Sequence, residues 1–253
     1  ILDSKNKVIS THNGNKPKYE VESNIPWWRR GGSTKPTTAK GMNNFSWDLR
    51  YPGATTFDGM IIWSARPERG PKAPIGDYKI RIITDDHTET HDFKIKINPN
   101  LKGITESDLL EQFNLAQKIT NKTSKANETV IKIRGIKSKL SDAKNKISNS
   151  KYQNLVNPFL NKISLIEKDL YQVKNQSGQD PLNFPIKLNN RLASLRRSIE
   201  NGDAKPTDGA YKVFNELSAE LEKHLNKLNQ ILNSDLPKIN QLMRKAGKKE
   251  ISK

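Results

Sequence analysis

The chain has 253 residues, of which 33% are hydrophobic and 28% charged, and its formal net charge is +17. The absence of cysteine excludes disulfides, thiol catalysis and cysteine-based zinc sites. No apolar run approaches the ~20 residues that a membrane-spanning helix requires, and the length favours two domains.

Residues 1–100 are predicted to form the first domain, because short segments there alternate apolar and polar side chains. Tyr78, Ile80 and Ile82 share one face of such a segment, and Phe93 and Ile95 share one face of the next. Period-two alternation is typical of antiparallel strands that cover a core on one side. With shorter apolar pieces such as residues 60–63, about six or seven strands are expected, which is the size of an immunoglobulin-like antiparallel β-sandwich.

The segment from residue 43 to residue 54 is interpreted as a strand that ends in a corner. We expect Trp47 and Leu49 to lie in the core, Asp48 and Arg50 to face outward, and Tyr51 to begin the turn. Catalysis at Asp48 would need a second carboxylate or a histidine beside it, and its sequence neighbours supply neither. The predicted role of these residues is therefore structural.

A loop with Trp27, Trp28, Arg29 and Arg30 is the candidate ligand-binding element, since two tryptophans next to two arginines can stack on a sugar ring, a peptide or a base. The alternative is that one tryptophan fills a gap against the neighbouring domain while the arginines stack on the other. The sequence leaves both interpretations open.

Residues 104–247 are predicted to be helical, because the hydrophobic period changes at Thr105. Thr105 and Asp108 have the spacing of a capping box, and a first helix of about 40 residues follows. Pro158 is expected in the first turn of the second helix, which would then start at residues 154–157. A shorter third helix and a long last one opened by Thr207 complete an antiparallel four-helix bundle in up-and-down order, with the long first and last helices protruding as a stalk. The predicted class is a multidomain α+β protein.

The sequence contains no Gly-rich phosphate loop, HExxH, GxSxG or zinc-finger spacing. No cofactor, metal ligand or catalytic residue is predicted on that basis. Lysines are spread over the helical half rather than clustered, which is typical of a solvated surface and makes nucleic acid an unfavoured partner. Binding of the Lys-rich bundle to an anionic membrane or nucleic acid is kept as an alternative, without a transmembrane segment.

Three segments resemble a known family: KGMNNFSWDLRYPGA at residues 40–54, GPKAPIGDY at residues 70–78, and the helix start TESDLLEQF at residues 105–113 with ANE at residues 126–128. They are similar to the C-terminal region of bacterial BNR-repeat, sortilin-like β-propeller proteins, which are often labelled glycosyl hydrolases. The resemblance covers most of residues 1–150. The early strands also resemble the immunoglobulin-like module of flagellar hook-cap proteins.

The resemblance implies that propeller blades precede residue 1 and that any glycosidase chemistry lies in those blades, so no catalytic residue is carried over to this chain. Because the chain opens on Ile1, we expect residue 1 to be a processing point or the cut end of a longer protein. The resemblance points to an exported protein of the Bacteroidetes type, which implies the periplasm, the outer membrane surface or secretion.

The expected function is a non-catalytic, structural and interaction portion of such a protein, with the β-sandwich packed on a propeller and the helices as a stalk. The expected partner is the propeller of the same protein or another envelope protein. The alternatives are a carbohydrate-binding accessory module of a glycosyl hydrolase, with a glycan as ligand, and an enzyme in its own right.

Overall fold

The computed structural model describes residues 1–14, 36–144 and 150–252. The chain is a mixed α+β protein, about 49% helical, with small antiparallel sheets. The α+β class is therefore as predicted, whereas the division into residues 1–100 and residues 104–247 stays a prediction.

The described residues form five α-helices, which are α1 (Glu106–Lys144), α2 (Ser150–Leu170), α3 (Leu188–Ile199), α4 (Asp208–Ser234) and α5 (Leu236–Lys245). Thr105 caps α1 as predicted: its Oγ1 accepts from the Asp108 backbone N–H at 3.2 Å, and the Asp108 carboxylate accepts from the Thr105 backbone N–H at 2.9 Å. These reciprocal bonds satisfy donors that the first turn of a helix leaves unpaired.

The five strands of the described residues are β1 (Leu2–Asp3), β2 (Arg50–Pro52), β3 (Arg69–Lys72), β4 (Gly76–Ile83) and β5 (Thr88–Ile95). One sheet has the order β1-β4-β5, and β2 pairs with β3 in a separate ribbon, all antiparallel. The strands predicted around Tyr78 and Phe93 are confirmed as β4 and β5.

Two predicted strands do not form. Leu49, expected in the core, is 44% exposed and has a φ of 55°, so the chain turns there instead of continuing as a strand. Residues 60–63 form no strand, and their backbone pairs with side chains of the helical half: the Ile61 backbone N–H donates to the Tyr171 hydroxyl, and the Trp63 backbone N–H donates to the Asn190 side chain. Tertiary packing overrides the local β pattern at both places.

The core lies between the helices, and α1 buries side chains along its length from Leu115 to Ala143. The directions follow from contacts between helix ends. Near the start of α1, the Gln112 amide donates to the carbonyl of Ile199 at the end of α3 at 2.7 Å, so the two are antiparallel. At the start of α4, the Tyr211 hydroxyl lies 3.5 Å from the carboxylate of Glu111, so α4 is parallel to α1.

Helix α2 is antiparallel to α4, because Lys162 pairs with Asp235 at 2.8 Å and Asp169 with His224 at 3.8 Å. Helices α2 and α3 therefore run in the same direction, one after the other along α1 and α4. The order of directions differs from the predicted up-and-down order, since the loop between α2 and α3 does not reverse the chain.

Pro158 lies in the interior of α2, not in its first turn, so the predicted start at residues 154–157 is wrong. Helix α2 begins one to two turns earlier because Tyr152 and Val156 are both fully buried there. Burial of two large side chains is worth several kcal/mol, which offsets the roughly 3 kcal/mol cost of an interior proline. The chain continues after α4 into the ten-residue helix α5.

Candidate functional site

Five arginines line one cleft of about 530 Å³ between the β2–β3 ribbon and the end of α3, and we call it the arginine cleft. Arg50 lies on β2, Arg69 on β3, and Arg66 in the turn that leads into β3. Arg196 and Arg197 occupy the last turn of α3. The cleft thus joins the first 75 residues of the chain to its third helix.

Glu200 binds two of these arginines. Its Oε2 accepts from Arg196 and lies 3.3 Å from Arg50 Nη1, while its Oε1 accepts from the backbone N–H of Lys72 at 2.8 Å. The side chains of Arg196 and Glu200 are each only 6% exposed. Burial lowers the pKa of Arg196, and the negative charge of Glu200 partly opposes this shift. An arginine nevertheless remains protonated at any physiological pH.

The backbone supplies further acceptors for the guanidinium groups of Arg50 and Arg196. The carbonyl of Gly70 accepts from Arg50 at 2.6 Å, and the carbonyl of Arg66 accepts from Arg196 at 2.9 Å. Charge-assisted bonds of this kind fix planar guanidinium groups in one orientation. Arg50 and Arg196 therefore hold the ribbon against α3.

Two glycines allow the backbones of the ribbon to approach closely. A Cβ atom at Gly53 would lie 2.1 Å from the carbonyl oxygen of Glu68, and one at Gly70 would lie 2.0 Å from the carbonyl oxygen of Tyr51. Any side chain at these positions would separate the strands. These glycines belong to the WDLRYPG and GPKAP segments, so this contact gives those segments a physical role.

The three exposed arginines of the cleft, Arg66, Arg69 and Arg197, form fewer ion pairs with carboxylates. Arg69 pairs with Asp48 at 3.4 Å, with both side chains 46% exposed. Arg197 donates to the backbone carbonyl and hydroxyl of Ser64. Within the described part of the chain, neither Arg66 nor Arg197 pairs with a carboxylate.

The predicted corner residues lie beside the cleft. The Trp47 indole donates to the carbonyl of Arg50 at 3.1 Å and packs edge-on against Tyr78 and Phe93, with ring centroids 6.0 and 6.2 Å away. Tyr51 packs on Phe113 of α1 at 4.7 Å, and burial raises the pKa of Tyr51. Asp48 faces outward as expected, but the expectation for Arg50 is wrong: its side chain is 18% exposed and bonds Glu200 and the Gly70 carbonyl.

The candidate ligand-binding residues Trp27, Trp28, Arg29 and Arg30 lie outside the described residues, so their role in glycan binding stays a prediction. Among the residues that the structure describes, no three His, Asp or Glu side chains are grouped to hold a metal ion. No described helix is both long and apolar enough to cross a bilayer.

Sequence reasoning missed Arg196, Arg197 and Glu200, because their partners Arg50 and Ser64 are more than 130 residues away in the chain. The two adjacent arginines of α3 followed by Glu200 look like ordinary solvated helix residues. Only the fold shows that one of them is buried.

A second set of bonds holds the segment between the two β-strands of the ribbon. Asn127 of α1 donates to the carbonyl of Thr55 at 2.7 Å, and Asn190 of α3 binds both the N–H and the carbonyl of Trp63 at 2.7 and 3.0 Å. The Tyr171 hydroxyl accepts from the Ile61 N–H at 3.0 Å. Side chains from three places in the helical half thus pair with the backbone of one irregular segment, which satisfies groups that a sheet would otherwise bond.

In comparisons with known proteins, no family model, curated protein or solved structure matches this chain. The resemblance of residues 40–54 and 70–78 to BNR-repeat proteins therefore stays a prediction.

Proposed function

We propose that the chain is a non-catalytic C-terminal portion of an exported BNR-repeat propeller protein, and that its strands pack on the propeller. The support from sequence is the resemblance of the WDLRYPG and GPKAP segments. The support from structure is that the glycines of these segments serve a backbone contact that holds the fold together.

The finer architecture belongs to the same proposal. The sheet β1-β4-β5 and the ribbon β2–β3 would be the two layers of an immunoglobulin-like sandwich, with Trp47 and Tyr78 in its core. Helices α1 and α4 would be the long members of the bundle, with α2 and α3 as its other two members. The antiparallel strand pairings support the sandwich. The helix directions do not support the up-and-down order, because α2 and α3 run in the same direction along α1 and α4.

The observation that carries the interaction role is the exposed β4–β5 hairpin. Strand β1 pairs with β4 at Tyr78 and Lys79, and residues 81–92 beyond that pairing are exposed, including Ile82 at 51% and Ile83 at 70%. A two-stranded hairpin is marginally stable on its own in water, and a third strand or a packed face normally supports it. The hairpin is therefore the surface that a neighbouring domain would cover.

The acidic side chains near the cleft are paired with arginines, which supports the proposal that the chain is non-catalytic. Glu200 is bound by two arginines and one backbone N–H, and Asp48 is paired with Arg69. A general acid or base has to exchange a proton with substrate, and an acid bound on both oxygens by cations and amides is poorly suited to that work.

The intact mass of the native protein tests the proposal. We expect a species much heavier than the 28.7 kDa of this chain, with the amides of residues 81–92 protected from hydrogen exchange relative to the 253-residue chain. In the heavier protein, changing Ile82 and Ile83 to lysine should remove that protection, whereas Leu182→Lys, at a residue 67% exposed outside the hairpin, should not. A native protein of 28.7 kDa would overturn the proposal.

A further inference from the structure

The arginine cleft concentrates positive charge beyond what its own acids neutralise. Five guanidinium groups line it together with the carboxylate of Glu200, which Arg50 and Arg196 share. Asp48 pairs with Arg69 and the charge of Glu68 acts on Arg196, so the five arginines face three carboxylates. The side chains of Arg66 and Arg197 have no acidic partner among the described residues. Clefts lined by one sign of charge focus the electrostatic potential and raise the local concentration of opposite ions.

Two of the cationic groups, Arg196 and Arg197, are held in place by the protein itself. Arg196 is fixed by Glu200 and by the backbone carbonyl of Arg66, and Arg197 by both oxygens of Ser64. Preorganised donors lose less conformational entropy on binding than flexible surface lysines do. The cleft therefore differs from the dispersed lysine charge of the helices.

The shape and chemistry of the cleft indicate the class of ligand. A volume of about 530 Å³ fits a sugar-sized molecule, and the lining contains one small aliphatic side chain, Ala65, beside polar and charged groups. Guanidinium groups bind the oxygens of tetrahedral oxyanions through paired hydrogen bonds.

We propose that the arginine cleft binds a tetrahedral oxyanion ester, either phosphate or sulfate, carried on a sugar-sized polar molecule. Arg66 would contact the oxyanion directly, since its side chain has no structural partner in the described part of the chain. Arg197 would contribute its remaining donors. The proposal is independent of the propeller proposal, because a binding measurement on the isolated chain does not depend on whether blades precede it.

The test is calorimetric titration of the 253-residue chain with glucose 6-phosphate, glucose 6-sulfate and glucose at low and high salt. We expect either ester to bind at least about tenfold more tightly than glucose, with the affinity falling at high salt. The ester that binds more tightly identifies the source of the oxyanion. Equal affinity for both esters and for glucose would overturn the proposal.

Two variants distinguish binding at a specific site from binding that depends only on the overall charge of the protein. Arg66→Gln should weaken ester binding about tenfold, the loss expected for one charge-assisted hydrogen bond. The control Arg81→Gln removes the same charge from an exposed position on β4 and should change the affinity less than twofold. Equal weakening in both variants would assign binding to overall charge and overturn the site. Arg66→Gln should keep the thermal midpoint, because no described side-chain contact is lost.

Discussion

Glu167 of α2 shows how a buried charge is kept ionised in this fold. Its side chain is 6% exposed, Oε1 accepts from Arg134 Nε at 2.7 Å, and Oε2 accepts from Lys137. The Arg134 guanidinium also lies over the rings of Phe57 and Tyr171, 4.7 and 5.2 Å from their centroids. Burial by itself would raise the pKa of Glu167, but the two cations outweigh burial and lower it.

A pH dependence follows from this lowered pKa. The stabilisation by Glu167 is complete above its unfolded pKa of about 4.5 and is lost as the pH falls through the lower folded value. Glu167→Gln should lower the free energy of unfolding by about 3 kcal/mol at pH 7, and by progressively less as the pH is lowered below 4.5. Urea unfolding between pH 3 and 7 measures this difference. The control Glu216→Gln, at an exposed position of α4, should change stability little at either pH.

Gly70 gives the second prediction at the level of single residues. In Gly70→Ala the new methyl group would meet the carbonyl oxygens of Tyr51 and Pro52 at 2.0 and 2.2 Å, so the ribbon must separate. We expect a loss of at least ~3 kcal/mol in the free energy of unfolding. Gly178→Ala, where no atom lies within 4 Å of the new methyl group, should be neutral or slightly stabilising. Similar stability of the two variants would contradict the close approach of the strands.

Among the elements, α2 carries a sequence feature that opposes its own structure. Pro158 removes one backbone donor, which leaves the carbonyl of Asn154 without its usual partner in the helix. The side chain of Pro158 is exposed and contributes no core packing. The helix persists because Phe159 and Val156, on either side of the proline, are buried.

Replacing Pro158 with alanine should therefore stabilise the protein. The change restores a helical hydrogen bond and introduces a good helix former. Loss of the proline also raises the conformational entropy of the unfolded chain, which offsets part of the gain. We expect a net gain of about 1–2 kcal/mol, seen as a higher thermal midpoint. Pro237→Ala serves as the matched control, because Pro237 lies at the start of α5, where a missing donor costs nothing. A gain of the same size in both variants would show that position in the helix is irrelevant.

Local sequence signals predicted the elements that local interactions define. The capping pair Thr105 and Asp108 marked the start of α1, and Thr207 marked the start of α4, where its hydroxyl accepts from the Ala210 N–H. The hydrophobic pattern wrongly predicted a strand at residues 60–63. The backbone there bonds instead to Tyr171 and Asn190, which lie over 100 residues away in the chain. The arginine cleft was invisible for the same reason, since Arg50 meets Arg196 and Glu200 only in the folded chain.

On the scale of the whole molecule, the first 75 residues and the helices are joined by polar contacts in which the helical side chain is buried. Arg196 binds the carbonyl of Arg66, Asn190 binds Trp63, and Asn127 binds Thr55. Each lost bond would leave a partly buried polar group unpaired, at a cost of about 1 kcal/mol or more. Contacts of this kind couple the stability of one part to that of the other.

The chain offers two probes that separate the parts. All four tryptophans lie within residues 1–100, so fluorescence follows that region, whereas circular dichroism at helical wavelengths follows residues 104–247. If the polar contacts couple the two regions, urea should unfold both with one midpoint. Two well-separated midpoints would instead describe domains that fold independently.

Asn190→Ala distinguishes coupling from a coincidence of midpoints. The change removes both hydrogen bonds to the backbone of Trp63, and we expect a loss of about 2 kcal/mol in the free energy of unfolding. In a coupled molecule the fluorescence and dichroism midpoints move down together by the same amount. In an uncoupled one only one signal shifts, or the two signals separate. A matched change on the outer surface of a helix, Asn114→Ala in α1, should leave both midpoints in place, because Asn114 is exposed and its loss breaks no contact between the parts.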